Sequence, residues 1–117
     1  MLGRIAVGLI GLLHVYILVL EMFLWDKPAG LRAFGQSLEN ARVSKTLAAN
    51  QGLYNGFLAA GLFWSLTLGE QGRAVSVFFL VCVLVAGVYG AATASRKILY
   101  VQAVPAAIAL GLVALRL

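Results

Sequence analysis

Two ionisable residues, His14 and Glu21, lie in an otherwise almost wholly apolar stretch, residues 2–25 of a 117-residue chain. An ionisable side chain in hydrocarbon costs on the order of 2.5–3.5 kcal/mol, so a chain that keeps two of them is expected to use them. A histidine and a carboxylate in separate environments can divide the roles of general acid and general base. We therefore interpret Glu21 and His14 as catalytic candidates for proton-transfer chemistry.

Amide and hydroxyl side chains cluster in a second apolar stretch, residues 47–62, with the sequence LAANQGLYNGFLAAGL. On a helix with about 100° per residue, four of them share one arc about 140° wide. Such groups can hold a substrate oxygen or a developing oxyanion. The predicted ligand-binding residues of this helix are Asn50, Gln51, Tyr54 and Asn55.

The spacing of the two ionisable residues predicts a lined pocket and not a pair in direct contact. His14 and Glu21 are seven residues apart, which is about 10 Å along a helix axis. Side chains of a neighbouring helix, water or a ligand must therefore bridge them. The loop positions place Glu21 level with Asn50 and Gln51, and His14 near the level of Asn55, in a pocket open toward one leaflet. Further residues predicted to bind a ligand there are Trp25, Tyr100 and Gln102.

Four long apolar runs must position these side chains. The chain is 62% hydrophobic and 11% charged, and a soluble domain of this length needs more charge to cover its surface. Each run is close to the ~20 residues that cross about 30 Å of hydrocarbon. The sequence therefore predicts an all-α, polytopic membrane protein, a four-transmembrane-helix bundle that forms a single domain in the lipid bilayer. The predicted helices are 2–25, 46–68, 74–94 and 98–115, with a loop at 26–45.

The distribution of charge orients the chain. The formal net charge is +5, but the basic residues are spread over loops and helix ends instead of one stripe, so nucleic acid is not expected as a partner. Basic loops favour the cytoplasmic side, which predicts a bacterial inner (cell) membrane protein with both termini outside. The termini and the 69–73 turn carry Arg4, Arg73 and Arg116, while the opposite side carries Lys27, Arg32, Arg42, Lys45, Arg96 and Lys97.

Small residues mark the faces through which the helices pack. Gly52 and Gly56 are four residues apart in the second helix, as are Gly87 and Ala91 in the third. Such rows let helix backbones approach closely. The contact can be within one chain or between two copies in a homodimer.

Helix breakers mark two further features. Pro28 and Gly30 open the 26–45 loop, which is either a surface linker or a lid over the pocket. Pro105 lacks an N–H, so it either kinks the fourth helix or frees the carbonyl of Val101 to bond another group. Cys82 is the only cysteine, so no disulfide forms within the chain.

The sequence resembles a known family, the small bacterial and fungal membrane proteins grouped as domain-of-unknown-function family 1304. The resemblance rests on three stretches: LHVYILVLEMFLW in the first helix, Phe34-Gly35 in the loop and LAANQGLYNGFLAAGL in the second helix. It runs over essentially the whole chain and implies the fold and the site, without an established activity. The positions that match the family's motifs are His14, Glu21, Trp25, Asn50, Gln51, Tyr54 and Asn55.

Three functions fit this pattern. The first is an intramembrane enzyme or binding protein for a small lipophilic molecule, with Glu21 as acid or base and His14 as its complement. The second is a proton-coupled transporter, because chain length, helix count and a lone membrane carboxylate look like the small multidrug-resistance exporters. The third is a structural or assembly subunit. No cofactor motif is present, and a histidine and a carboxylate at i, i+7 do not chelate a metal on one helix, so no cofactor or metal is predicted.

Overall fold

The computed structural model describes all 117 residues, and the regular elements are all helical. The predicted all-α class is therefore confirmed. Five α-helices follow one another, with a 3₁₀ turn before the fourth and a π-helical turn before the fifth. They are α1 (Leu2–Met22), α2 (Pro28–Phe34), α3 (Leu38–Thr67), the 3₁₀ turn Gly69–Gln71, α4 (Gly72–Thr93), the π-turn Leu99–Ala103 and α5 (Val104–Ala114).

Two segments are long and apolar enough to cross a membrane by length and composition, namely α1 and Gly69–Thr93. The apolar segment Leu99–Ala114 is shorter. Although α3 has 30 residues, it is not among the candidate spans, because its amide side chains lower its apolar character. Of the four predicted spans, these findings support two.

The segment 26–45, predicted as a loop between membrane helices, contains α2 and the start of α3. Pro28 occupies the first turn of α2, where its missing N–H costs nothing, and Gly35 ends the helix in the left-handed conformation at φ 59°. Ser37 Oγ then accepts a hydrogen bond from the backbone N–H of Asn40 at 3.1 Å, which caps α3. The second long helix accordingly begins at Leu38 and not at residue 46.

The predicted helix 98–115 is divided by the π-turn. The N–H of Val104 donates to the carbonyl of Leu99, five residues back. Pro105 has no N–H to offer the carbonyl of Val101, so the regular α-helical ladder is interrupted at this point. A wider turn accommodates the interruption before α5 continues.

The chain forms two compact units, and both α1 and α3 contribute to each. The first unit contains residues 1–11 and 60–117, and the second contains residues 12–59. The predicted single domain stays a prediction. In the first unit α4 packs against the π-turn and α5 around a small apolar core. Its fully buried side chains include Leu80, Val83, Ala106 and Ala109.

Two glycines of the first unit allow backbones to meet. A Cβ added at Gly87 would lie 2.7 Å from the backbone nitrogen of Ala103, so α4 touches the π-turn at this point. A Cβ added at Gly72 would lie 1.9 Å from the carbonyl oxygen of Ser65. The connection from α3 to α4 therefore depends on a residue without a side chain.

In the second unit the short helix α2 lies against the residues that follow α1, and the end of α1 lies against the first half of α3. At Gly30 an added Cβ would lie 2.0 Å from the carbonyl oxygen of Leu24, which presses α2 directly onto the end of α1. Gly52 of α3 also lies close to α1, because an added Cβ would lie 2.6 Å from Met22 Cγ and 3.3 Å from the Leu18 carbonyl oxygen. The Gly52 face is thus used within the chain.

Candidate functional site

The candidate catalytic residues lie on the buried face of α1. His14 is fully buried and Glu21 is 8% exposed. Val7 and Ile10, on the same helical stripe, are buried as well. His14 and Glu21 therefore face the interior, separated by about 10 Å along the helix axis.

The second long helix presents a single polar side chain of the predicted arc to the interior. Its buried residues in the second unit are spaced by seven, four and three residues, as expected for one face of a helix. These are Ala41, Ala48, Gly52, Asn55 and Ala59. Asn55 therefore lies on the same face as Gly52, which packs closely against α1.

The remaining polar residues of that arc are exposed. Tyr54 is 56% exposed and its ring contacts that of Phe57 at 6.0 Å between centroids. Asn50 and Gln51 are exposed too, and Asn50 Nδ2 donates to the carbonyl of Thr46 in its own helix at 2.9 Å. The four residues therefore do not form one lining, because the 140° arc extends from the buried face to the exposed one.

Glu21 and Asn55 form the polar contact at the centre of the second unit. Asn55 Nδ2 donates to Glu21 Oε1 at 2.5 Å, and it also lies 3.3 Å from the carbonyl oxygen of Gln51. Gly52 makes this approach possible, since an added Cβ would lie 3.0 Å from the Cβ of Glu21. A side chain of the neighbouring helix is thus the direct partner of the carboxyl group.

Gly56 brings the two long helices close together one turn beyond Gly52. A Cβ added at Gly56 would lie 2.7 Å from Leu18 Cδ1, so α1 and α3 stay close along this part of the chain. A side chain of the neighbouring helix thus reaches the Glu21 end of the predicted pocket, and the pocket itself stays a prediction.

Trp25 is fixed beside the site by two contacts. Its Nε1 donates to Ser44 Oγ at 3.1 Å, and its ring meets that of Phe34 at 4.8 Å between centroids. Ser44 Oγ in turn donates to the carbonyl of Asn40 at 2.8 Å. These contacts tie the end of α1 and the end of α2 to the start of α3.

An ion pair strengthens the same connection. Lys45 Nζ donates to Asp26 Oδ2 at 3.1 Å, and the lysine side chain is more than half exposed. The hydrogen bond from the Lys45 ammonium holds the pKa of the Asp26 carboxyl below its ordinary value. The segment predicted as a linker or a lid is therefore joined to the start of α3 by side-chain contacts.

The two remaining predicted site residues belong to the first unit. Tyr100 is 69% exposed and Gln102 is half-buried, both in the π-turn. π-turns are frequent at functional sites. No group of three or more His, Cys, Asp or Glu side chains is arranged to hold a metal ion.

The fold and this site define a small all-α protein with a buried carboxyl group held by an amide and two apolar helices long enough to span a bilayer. The chain belongs to the family described as "Protein of unknown function (DUF1304)", which it matches over residues 8–114. It is 30% identical over 96 residues to "Uncharacterized protein YpaA" of Lactococcus lactis subsp. lactis (strain IL1403), covering 80% of this chain and 81% of that protein. No solved structure matches the chain significantly.

Proposed function

We propose that the protein is a four-span integral membrane protein and that Glu21, Asn55 and His14 belong to a site for a small lipophilic molecule. The chemistry is binding or transformation by acid/base catalysis, with Glu21 exchanging a proton and His14 acting as its complement. The two apolar segments that could span a bilayer support the membrane location. The family match covers residues 8–114, which include Glu21, Asn55 and His14.

The observation that carries the proposal is the buried Glu21–Asn55 contact. Interhelical hydrogen bonds in membranes contribute only about 0.6 kcal/mol on average, and a glutamine at position 21 could accept the same bond from Asn55. A carboxyl group costs more to bury than an amide. Its use at a position 8% exposed is explained by the one property that an amide lacks, exchange of a proton.

The exposed polar face of α3 supports the same function. In hydrocarbon each polar group needs a hydrogen-bonding partner, and the exposed side chains of Gln51 and Tyr54 offer such groups beside the buried pair. A lipophilic molecule that carries a polar head can enter the hydrocarbon and can also supply hydrogen-bonding partners to these side chains. In the proposed complex this head reaches Glu21 by displacing the Asn55 amide, while Trp25 flanks it. Tyr100 and Gln102 are proposed as further contacts.

Carboxyl-to-amide substitution tests the proposal. Glu21→Gln keeps the size and the hydrogen bond of the side chain and removes its acidity, whereas Glu39→Gln makes the same chemical change at an exposed position in the first turn of α3. Each protein is purified from membranes in mild detergent, and its bound small molecules are extracted and quantified by mass spectrometry. We expect a compound that is retained by the wild type and by Glu39→Gln and reduced about tenfold or more in Glu21→Gln, a change of 1.4 kcal/mol.

The same variants separate the alternatives. Identical extracts from all three proteins would contradict ligand binding at Glu21 and leave the structural subunit, for which an amide serves as well as an acid. Proton-coupled transport predicts in addition that a pH gradient drives uptake of the retained compound into liposomes through the wild type and not through Glu21→Gln. If the wild type converts the retained compound chemically without transporting it into liposomes, the Glu21 carboxyl is assigned to catalysis.

The proposed orientation in the membrane gives a separate prediction. Six basic residues flank one side and three the other, so both termini and the Gly69–Gln71 turn should lie outside the cytoplasm. Alkaline phosphatase, which is active only outside, should be active when fused in that turn, and a fluorescent protein should fluoresce when fused at residue 96. A fluorescent fusion in the Gly69–Gln71 turn would contradict this topology.

A further inference from the structure

Three arginines that are distant in sequence line one cavity of the first unit. The cavity has a volume of about 380 Å³, and its lining includes Arg4 of α1, Arg73 of α4 and Arg116 just beyond α5. Sites for small ligands have volumes of about 300–1,000 Å³. All three basic residues of one predicted membrane side therefore converge on a space of ligand size.

The cavity is electropositive. One acidic side chain, Glu70, lies beside the three guanidinium groups. It pairs with Arg73, whose Nη2 donates to Glu70 Oε2 at 3.0 Å, and its own side chain is 88% exposed. Three positive side chains thus lie beside one negative side chain that is largely in solvent, and the charged groups of the two termini, at Met1 and Leu117, are bonded to each other. The first turn of α4 also lies at the cavity, and the positive end of its helix dipole adds to the field.

Most other polar groups of the cavity are engaged within the chain. Ser65 Oγ and Ser76 Oγ donate to backbone carbonyls at 2.6 and 2.9 Å, and the Met1 amino group binds the Leu117 backbone oxygen. Arg4 Nη2 donates to a backbone carbonyl at 2.8 Å, but a guanidinium carries five N–H donors. The donors available to a ligand are therefore mainly arginine N–H groups, which suit an oxyanion.

Arg116 is held in a conformation that favours glycine. Its φ is +59°, and it follows α5 in a Schellman motif, with Arg116 N–H bonded to Val113 O at 3.1 Å and Leu117 N–H to Leu112 O at 2.9 Å. Glycine is the usual residue there, and another L-residue costs roughly 1–2 kcal/mol. A strained arginine at the cavity is explained by a role for its guanidinium.

We propose that this cavity binds a phosphate group through Arg4, Arg73 and Arg116. Arginine forms paired hydrogen bonds with phosphate oxygens, which a lysine ammonium does not. On this predicted side of the chain all three basic residues are arginines, whereas the other side mixes arginine with lysine. The phosphate belongs either to the headgroup of an anionic phospholipid or to free inorganic phosphate. The site is independent of Glu21.

Two triple variants with the same loss of charge test the proposal. R4Q/R73Q/R116Q removes the cavity guanidiniums, and R32Q/R42Q/R96Q removes three that do not line it. The full-length protein in detergent is titrated with phosphatidylglycerol, with diacylglycerol of the same tails, and with inorganic phosphate, and binding is measured by native mass spectrometry and calorimetry. We expect the cavity variant to weaken phosphate-group binding about tenfold or more, and the control by less than about threefold.

The outcomes identify the source of the phosphate. If the cavity variant loses binding of phosphatidylglycerol, and diacylglycerol does not bind, the ligand is a lipid headgroup. If the cavity variant loses binding of inorganic phosphate, the ligand is the free ion. Equal losses in both triple variants, or no binding of either phosphate probe to the wild type, would overturn the proposal.

A single substitution keeps the test decisive if the triple variant does not fold. Arg116→Gly relieves the left-handed backbone, so it should unfold at the same or a higher temperature than the wild type. We expect it nevertheless to bind the phosphate probe several-fold more weakly. Unchanged binding in this folded variant would contradict the role of the Arg116 guanidinium.

Discussion

Asn55→Leu is expected to destabilise the protein by about 2 kcal/mol, because it leaves the buried carboxyl oxygen of Glu21 without its amide donor. Leucine has nearly the shape of asparagine, so lost packing contributes little. The matched control is Asn50→Leu on the exposed face of the same helix, where a change of no more than about 0.5 kcal/mol is expected. Unfolding of the detergent-solubilised proteins by SDS, followed by circular dichroism, measures both.

A double substitution separates the polar contact from general packing. Glu21→Leu combined with Asn55→Leu leaves neither partner unsatisfied. The free energy of unfolding of the double variant should therefore exceed the value predicted by adding the two single-variant effects, by about 1 kcal/mol or more. Strict additivity would show that the 2.5 Å contact contributes nothing to stability. A cost for Asn55→Leu no larger than that for Asn50→Leu would show the same.

Gly72→Ala is expected to cost about 3 kcal/mol, because overpacking against a backbone atom forces the chain to move. The added Cβ would lie 1.9 Å from the Ser65 carbonyl oxygen, which no rotamer change relieves. Gly30→Ala makes the same test in the second unit, where the Cβ would lie 2.0 Å from the Leu24 carbonyl oxygen. Both should lower the yield of folded protein and the temperature of unfolding.

Gly111→Ala provides the control for these glycine substitutions. It lies within α5, and no atom lies within 4 Å of an added Cβ. Alanine is the better helix former, so the substitution should leave stability unchanged or raise it by up to about 1 kcal/mol. A loss at Gly111 equal to that at Gly72 would show that backbone flexibility, and not close approach, determines the effect.

The apolar pattern predicted the long helices and the buried face of α1, because periodicity reports which side of a helix avoids solvent. Val7, Ile10, His14 and Glu21 share that face in both the sequence and the structure. The pattern missed α2, a short helix of seven residues whose start and end depend on local capping. Pro28 was interpreted as a breaker, although proline is favoured in the first turn of a helix.

The partners across helices could not be predicted from one sequence. A polar arc shows which side chains share a helix face, but the rotation of that helix against its neighbour decides which of them is buried. Gly52 fixes this rotation by its close approach to Met22, and Asn55 is therefore turned inward. The arginine cavity was missed for a similar reason. Arg4, Arg73 and Arg116 were recognised as one side of the chain, but helix packing brings them to one space.

The π-turn has a consequence for the evolution of the chain. A turn closed by a bond from Val104 to Leu99 holds one residue more than an α-helical turn, so it acts as a single-residue insertion in helical phase. Residues before the π-turn, such as Ile98, are therefore rotated by about 100° relative to Ala106 from the position they would have in an unbroken helix. A relative that lacks one residue at this point would therefore keep the same number of helices. It would present different side chains to α4.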